Sequence, residues 1–303
     1  MKYRGLGVSG FHDLHATEWG SRTSGQVVVC AHGYSGNGRD FDYLARDLAA
    51  RGARVICPDF AGRGRSSWLP SFEYHFGRYL ADIGSLLTHL EVTQVDWVGT
   101  SMGGMLGMML AARGGSTVRS LTINDVGAYL PADALQHISR NLHSTQPFAT
   151  LREAEAHLRH THREWGDISD EQYRHLVAHG TRREADGYRL HFDPQLEAVA
   201  QPPPFAPGIY MWDAWYRIHC PVLLLRGEDS QVFPAHVAKT MLDIKPAAQL
   251  VEFAGCGHAP ALMSPAQIEA VREFVVPEPR MMAAVSRDAR HERPPRFHTP
   301  RPA

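Results

Sequence analysis

The stretch Gly99-Thr100-Ser101-Met102-Gly103 decides the fold of this chain. It follows an apolar run, 94–98, that is typical of a buried strand, and it precedes a segment rich in Met, Leu and Ala, 104–113, that is typical of a helix. A serine between two glycines, at the turn from a strand into a helix, lies on a sharp turn with its hydroxyl exposed. The glycines suit this turn because a side chain at either position would crowd it, and the serine backbone is predicted to be strained.

Strands and helices alternate on both sides of this turn. Short apolar runs predict further strands at 26–31, 54–57, 119–123, 221–225 and 249–253. Apolar residues at helical spacing predict helices at 39–51, 75–90, 235–244 and 265–275. Strands that alternate with helices are joined by crossover connections, so the pattern predicts an α/β fold with a mostly parallel sheet.

The alternation of predicted strands and helices stops in the middle of the chain. From Tyr129 to Tyr210 the sequence predicts no buried parallel strand, and polar stretches rich in His and Arg predict helices instead. We therefore expect a core formed by residues 1–127 and 211–276, with residues 128–210 as a mostly helical cap over the strand ends. Residues 277–303 lack periodicity and are rich in Pro, Arg and Ala, so they are predicted to be a disordered tail.

Composition favours a soluble, cytoplasmic protein. The chain has 303 residues, 44% of them hydrophobic and 21% charged, and can bury a sizeable core. The formal net charge is −1 and the pI is about 7.0, so the chain lacks the excess of positive charge that is typical of nucleic-acid-binding proteins. The most apolar segment, 105–112, is far shorter than the roughly 20 residues that span a bilayer, and no signal peptide is visible. Cys30 and Cys57 lie in apolar runs and are expected to be reduced core residues.

Two side chains downstream of Ser101 complete a candidate catalytic set. A serine hydroxyl needs a base to take its proton and a third group to orient that base. Asp229 follows the run 221–225 and His258 follows the run 249–253, in the order expected for this turn. Because the carboxyl ends of parallel strands meet at one edge of a sheet, we expect the three side chains to converge there.

The identity of the acid is left open by the residues alone. Asp125, at the end of the predicted strand 119–123, is an alternative to Asp229, and Glu228 is a third candidate. Serine attack on a carbonyl also needs donors for the negative oxygen that forms, and backbone amides usually supply them. The amide of Met102 directly follows the serine, and the glycine-rich loop 32–38 can turn a second amide inward, for which we choose Tyr34.

Several motifs together resemble the α/β-hydrolase superfamily, in the group that carries an inserted helical cap. They are His32-Gly33, Asp59-Phe-Ala-Gly62-Arg-Gly64-Arg-Ser66, Gly99-Thr-Ser101-Met-Gly103-Gly104, Gly227-Glu-Asp229 and Gly257-His258. The similarity spans roughly residues 8–276. It implies a mostly parallel sheet of the eight-stranded type flanked by helices, with Ser101 as nucleophile, His258 as base and Asp229 as its partner. The amides of Tyr34 and Met102 would hold the oxyanion.

The resemblance also implies a function. We expect a serine hydrolase that cleaves small to medium carboxylic esters, or thioesters, through an acyl-enzyme. Alternatives are cleavage of C–C bonds, lactones or short hydroxyalkanoate oligomers, and a non-catalytic protein that binds a ligand in the same fold. We expect no cofactor, no nucleic acid and no membrane partner, and leave open a monomer or a homodimer. The motif His157-x-x-His160-x-His162 is interpreted as a solvated helix face rather than a metal site, because its spacing fits one helix face poorly.

Overall fold

The computed structural model describes residues 1–140, 142, 147–201 and 207–277. The strands are β1 (Lys2–Gly7), β2 (Gly10–Trp19), β3 (Val27–Ala31), β4 (Arg54–Asp59), β5 (Val95–Thr100), β6 (Val118–Asn124), β7 (Tyr129–Leu130), β8 (Thr181–Glu184), β9 (Gly187–Leu190), β10 (Ile209–Tyr210), β11 (Val222–Gly227) and β12 (Gln249–Phe253). The α-helices are α1 (Asp42–Ala50), α2 (Phe76–Leu90), α3 (Met102–Ala111), α4 (Ala132–Arg140), α5 (Leu151–Thr161), α6 (Asp170–Gly180), α7 (Gln195–Val199), α8 (Trp212–Arg217), α9 (Ala235–Ile244) and α10 (Pro265–Val275). The tail that we predicted at 277–303 lies, apart from Pro277, outside the described residues.

One eight-stranded sheet forms the centre of the molecule, with the order β1-β2-β4-β3-β5-β6-β11-β12. The pairs β1–β2 and β2–β4 are antiparallel, and all other neighbours run parallel. The mostly parallel sheet flanked by helices is therefore confirmed. The two antiparallel strands at its edge were not predicted, because they contain no apolar run: Leu6 and Phe11 are exposed, whereas His12 is buried.

The apolar run of β3 is continuous because both of its faces are covered. Val28 and Cys30 pack in a cluster with residues of α1 and α10. Val29 and Ala31 point to the other face, into a cluster with residues of α2 and α3. Alternate side chains of a strand leave opposite faces, so a strand buried between two helical layers must be apolar at every position.

Two short strands bring together the beginning and the end of the chain segment between β6 and β11. The strands β7 and β10 pair antiparallel, with Ile209 opposite Leu130. Between them lie α4 to α7 and the antiparallel hairpin β8–β9, so the segment that we expected to be mostly helical also holds a hairpin. We call residues 129–210 the β6–β11 segment. No described helix has the length and apolar character that a membrane crossing requires.

Candidate active site

Ser101 lies in the strained turn that the sequence predicts, between β5 and α3. Its backbone has φ 51° and ψ −114°, and its amide donates to the carbonyl oxygen of Asn124 at 2.8 Å. The two glycines have no room for a side chain. A Cβ atom at Gly99 would lie 2.3 Å from the carbonyl carbon of Gly103, and a Cβ atom at Gly103 would lie 2.1 Å from the carbonyl oxygen of Ala31. Close backbone approach therefore fixes the turn that carries the serine.

The imidazole of His258 reaches Ser101 from the loop after β12. Its Nε2 lies 3.1 Å from Ser101 Oγ, within hydrogen-bond distance. Two backbone hydrogen bonds hold this loop to the corner between α5 and α6: Gly257 donates to the carbonyl of Glu164 at 2.7 Å, and Ala261 donates to that of Trp165 at 3.1 Å. The β6–β11 segment therefore fixes the loop on both sides of the histidine.

Asp125, at the end of β6, is the acid that contacts the histidine. Its Oδ2 accepts a hydrogen bond from His258 Nδ1 at 2.8 Å, and the carboxylate is fully buried. The amide of Gly227 donates to Oδ1 at 2.8 Å, and the hydroxyl of Ser230 donates to Oδ2 at 2.6 Å. Three donors therefore replace the hydrogen bonds to water that burial removes from this carboxyl group.

The structure does not bring Asp229 to His258, which corrects the position that we assigned to the acid. Asp229 is exposed, in the turn after β11, where its amide donates to the carbonyl of Cys256 at 2.8 Å. Glu228 is exposed as well. The chain turns at Gly227 so that the hydroxyl of Ser230, and not a carboxylate of the neighbouring residues, points towards Asp125.

The two amides that we expect to hold an oxyanion have free N–H groups. Met102 is the first residue of α3, where backbone N–H groups have no partner within the helix. Among the described residues, neither the amide of Tyr34 nor that of Met102 donates a hydrogen bond. A Cβ atom at Gly33 would lie 3.8 Å from Ser101 Cβ, so the loop that carries Tyr34 runs beside the serine.

Buried polar side chains hold the loop of Tyr34 in place. His32 donates from Nδ1 to the carbonyl of Gly33 at 2.6 Å and accepts from the amide of Phe60 on Nε2 at 3.0 Å. Burial lowers the pKa of His32 to about 4, so its imidazole is neutral near pH 7. Arg63 is fully buried, donates to the carbonyl of Tyr34 at 2.8 Å, and lies 4.7 Å from the centroid of the Tyr34 ring. These contacts restrain the loop that carries Tyr34.

Ser101 and His258 line a cavity of about 180 Å³. Its apolar side chains come mainly from the β6–β11 segment: Ile138, Leu142, Leu158, Leu176, Leu190 and Phe192. Hydrogen-bonding side chains lie among them: Asn37, Asp40, His157, Thr161, His162 and Glu164. The serine therefore opens into a small, mixed apolar and polar space under the β6–β11 segment.

A separate group of side chains has the composition of a metal site. Each of three residues offers one ligand atom, and these atoms lie within 4.8 Å of one another: Asp42, His175 and His179. However, the guanidinium of Arg39 donates to both oxygens of Asp42, at 2.9 Å and 2.7 Å from Nε. A cation already neutralises this carboxylate, so the residues fit an ion pair better than a metal centre.

The chain is similar to known proteins in its sequence and in its fold. A family described as the alpha/beta hydrolase fold matches residues 26–265. The chain is 38% identical to the 3-hydroxybutyrate-oligomer hydrolase of Cupriavidus necator, over 89% of this chain and 94% of that protein. It is 25% identical to the 2-(acetamidomethylene)succinate hydrolase of Mesorhizobium japonicum, over 83% and 88%. The solved structure of an alpha/beta hydrolase from Novosphingobium aromaticivorans superposes with a TM-score of 0.79 and 28% identity, over 91% of this chain and 97% of that one.

Proposed function

Because the chain belongs to the alpha/beta hydrolase family, we propose that it is a serine hydrolase that cleaves short oligoesters of 3-hydroxy acids through an acyl-enzyme. One observation carries the serine chemistry: an unbroken chain of hydrogen bonds from Ser101 Oγ through His258 to the buried carboxylate of Asp125. This is the arrangement that a hydroxyl needs in order to become a nucleophile. The relatives named as hydrolases support an enzyme rather than a binding protein.

The reaction proceeds in two halves. Ser101 Oγ attacks the ester carbonyl while its proton passes to His258 Nε2, and Asp125 holds the Nδ1–H and stabilises the imidazolium that forms. The amides of Tyr34 and Met102 donate to the tetrahedral oxygen. The bond to the alcohol then breaks, and the alcohol takes the proton from Nε2. Water repeats the sequence on the acyl-enzyme and releases the acid.

The substrate class rests on the relative and on the cavity. The name of the Cupriavidus necator relative specifies oligomers of 3-hydroxybutyrate, and the two chains match over nearly their whole length. A cavity of about 180 Å³ is small beside the roughly 300–1,000 Å³ of sites for drug-sized ligands, which favours a short acyl unit. Such a unit carries methyl groups as well as ester and hydroxyl oxygens, and the cavity offers both apolar and hydrogen-bonding side chains.

The experiment is hydrolysis of the linear dimer and trimer of 3-hydroxybutyrate, followed as release of the monomer by liquid chromatography. We expect the wild-type chain to cleave both and Ser101→Ala to lose activity by roughly 10⁴- to 10⁶-fold. Ser85→Ala is the matched control, since its hydroxyl lies on the outer surface of α2, donates to the carbonyl of Ala81 and is remote from the cavity. Retained cleavage by Ser101→Ala would contradict the mechanism. Cleavage of simple esters without cleavage of either oligomer would contradict the substrate class alone.

A further inference from the structure

His162 lies where α5 ends and lines the cavity that contains Ser101 and His258. It belongs to the motif His157-x-x-His160-x-His162, which we interpreted from the sequence as a solvated helix face. The structure separates the members of that motif: His157 and His162 line the cavity, whereas His160 is exposed and does not. The ring of His162 packs on Trp165 with 3.7 Å between the ring centroids, so its orientation is restrained.

The contacts of Thr161 favour the tautomer of His162 that carries its proton on Nδ1. The hydroxyl of Thr161 donates to the carbonyl of His157 at 3.0 Å, and this carbonyl can only accept. Thr161 Oγ1 also lies 2.8 Å from Nδ1 of His162. Since the single hydroxyl proton is used on the carbonyl, the contact with Nδ1 is satisfied when Nδ1 carries a proton and donates it to the hydroxyl oxygen. Nε2 then holds a lone pair.

Among the residues that the structure describes, this lone pair has no partner. No described residue hydrogen-bonds to His162 Nε2, and the atom is not among the buried side-chain nitrogens and oxygens that lack a partner. Nε2 therefore keeps some accessible surface, on a residue that lines the cavity. Burial, followed by the charge of nearby His157, lowers the pKa of His162 to about 3, so the imidazole stays neutral and keeps its lone pair at pH 7.

We propose that His162 is a specificity-determining residue whose Nε2 accepts a hydrogen bond from the hydroxyl group of a hydroxyacyl substrate. A lone pair in a small cavity selects for a ligand that brings a donor, because a ligand without one leaves the acceptor unsatisfied. Carbonyl and ether oxygens of an ester cannot donate, whereas the hydroxyl of a 3-hydroxyacyl unit can. This inference rests on the proposed function and adds to it the protein group that distinguishes a hydroxyacyl from a plain acyl chain.

The test compares two esters that differ only in that hydroxyl: methyl 3-hydroxybutanoate and methyl butanoate, followed by titration of the acid released. We expect the wild-type chain to favour the hydroxy ester in kcat/KM by roughly tenfold, the size of effect that one hydrogen bond gives. His162→Phe should remove this preference, so that the ratio of kcat/KM for the two esters falls to about one, whatever the absolute rate of the variant on methyl butanoate. His162→Gln, whose side-chain oxygen is again an acceptor, should restore part of the preference.

His160→Phe is the matched control, because this exposed residue of the same helix does not line the cavity. It should keep the wild-type preference, and circular dichroism with thermal unfolding should show that all three variants are folded. An unchanged preference in His162→Phe, or no preference in the wild type, would overturn the inference while hydrolysis of methyl butanoate by Ser101 still supports the proposed function. If the wild-type chain cleaves neither these esters nor the dimer of 3-hydroxybutyrate, the proposed function fails and the role of His162 fails with it.

Discussion

Asp125 Oδ2 and His258 Nδ1 are 2.8 Å apart, although the two residues are separated by 133 positions in the sequence. The carboxylate comes from the end of β6, which lies between the strand that precedes the serine and β11. Asp125 itself has φ 56°, a conformation that few residues other than glycine adopt. The backbone turns sharply directly after β6, and this turn aims the carboxylate along the edge of the sheet towards the imidazole.

From this contact we predict opposite outcomes for two neighbouring acids. Asp125→Asn should lower kcat for a short ester by the order of 10⁴-fold, because an amide no longer stabilises the imidazolium or fixes the required tautomer. Asp229→Asn should stay within about threefold of wild type, since that carboxylate is exposed and does not contact His258. Steady-state kinetics on a nitrophenyl ester measures both. A loss in Asp229→Asn equal to that in Asp125→Asn would contradict the assignment.

The sequence predicted where the candidate site forms but not which carboxylate enters it. Ser101 and His258 each lie a few residues after an apolar run, so strand topology alone brings them to one edge. Asp125 and Asp229 also follow apolar runs, and β6 and β11 are neighbours, with Asn124 opposite Leu225. Periodicity therefore cannot separate them. The difference lies in the φ of Asp125 and in the donors of Gly227 and Ser230, which only the folded backbone brings together.

Elements without an apolar run were the ones that sequence patterns missed. The hairpin β8–β9 has the sequences Thr-Arg-Arg-Glu and Gly-Tyr-Arg-Leu, and its residues are mostly half-buried. Ion pairs such as Arg189 with Glu184 accompany it, and charge pairs leave no period in hydrophobicity. The strained turn at Ser101, in contrast, is encoded by glycines at fixed positions, and the structure confirms it.

The hydroxyl of Ser230 should contribute to stability. It donates to Asp125 Oδ2 at 2.6 Å and accepts from the amide of Phe233 at 3.1 Å, and the residue is buried. Ser230→Ala leaves the amide of Phe233 without an acceptor and removes one of the two donors to Asp125 Oδ2, so the free energy of unfolding should fall by about 1–3 kcal/mol. Urea denaturation measures the change, with the surface variant Ser85→Ala as control. A midpoint for Ser230→Ala equal to that of the control would show that the two bonds contribute nothing.

Gly103 should be far less tolerant of alanine than an exposed glycine. A Cβ atom there would lie 2.1 Å from the carbonyl oxygen of Ala31, a backbone atom of the central sheet that cannot move aside. Gly103→Ala should therefore destabilise the fold by more than about 3 kcal/mol, or prevent folding. Gly114→Ala is the control: no atom lies within 4 Å of its Cβ position, and the change should stay within about 0.5 kcal/mol. Thermal unfolding that ranks the two variants as equal would contradict this account of the turn.

Asp40 should make the stability of the fold depend on pH. Burial raises the pKa of this cavity-lining carboxyl from 3.8 to about 7. Between pH 4 and pH 7 the folded chain therefore keeps a proton that the unfolded chain releases, so this group lowers stability as the pH rises across that window and has no further effect above it. Asp40→Asn removes the titration but keeps an oxygen that can accept from the amide of Asn37. The midpoint of thermal unfolding of Asp40→Asn, relative to wild type, should rise steadily from pH 4 to pH 7 and then level off by pH 8.5. A difference that is constant over the whole range would mean that Asp40 ionises equally easily in the folded and unfolded chains.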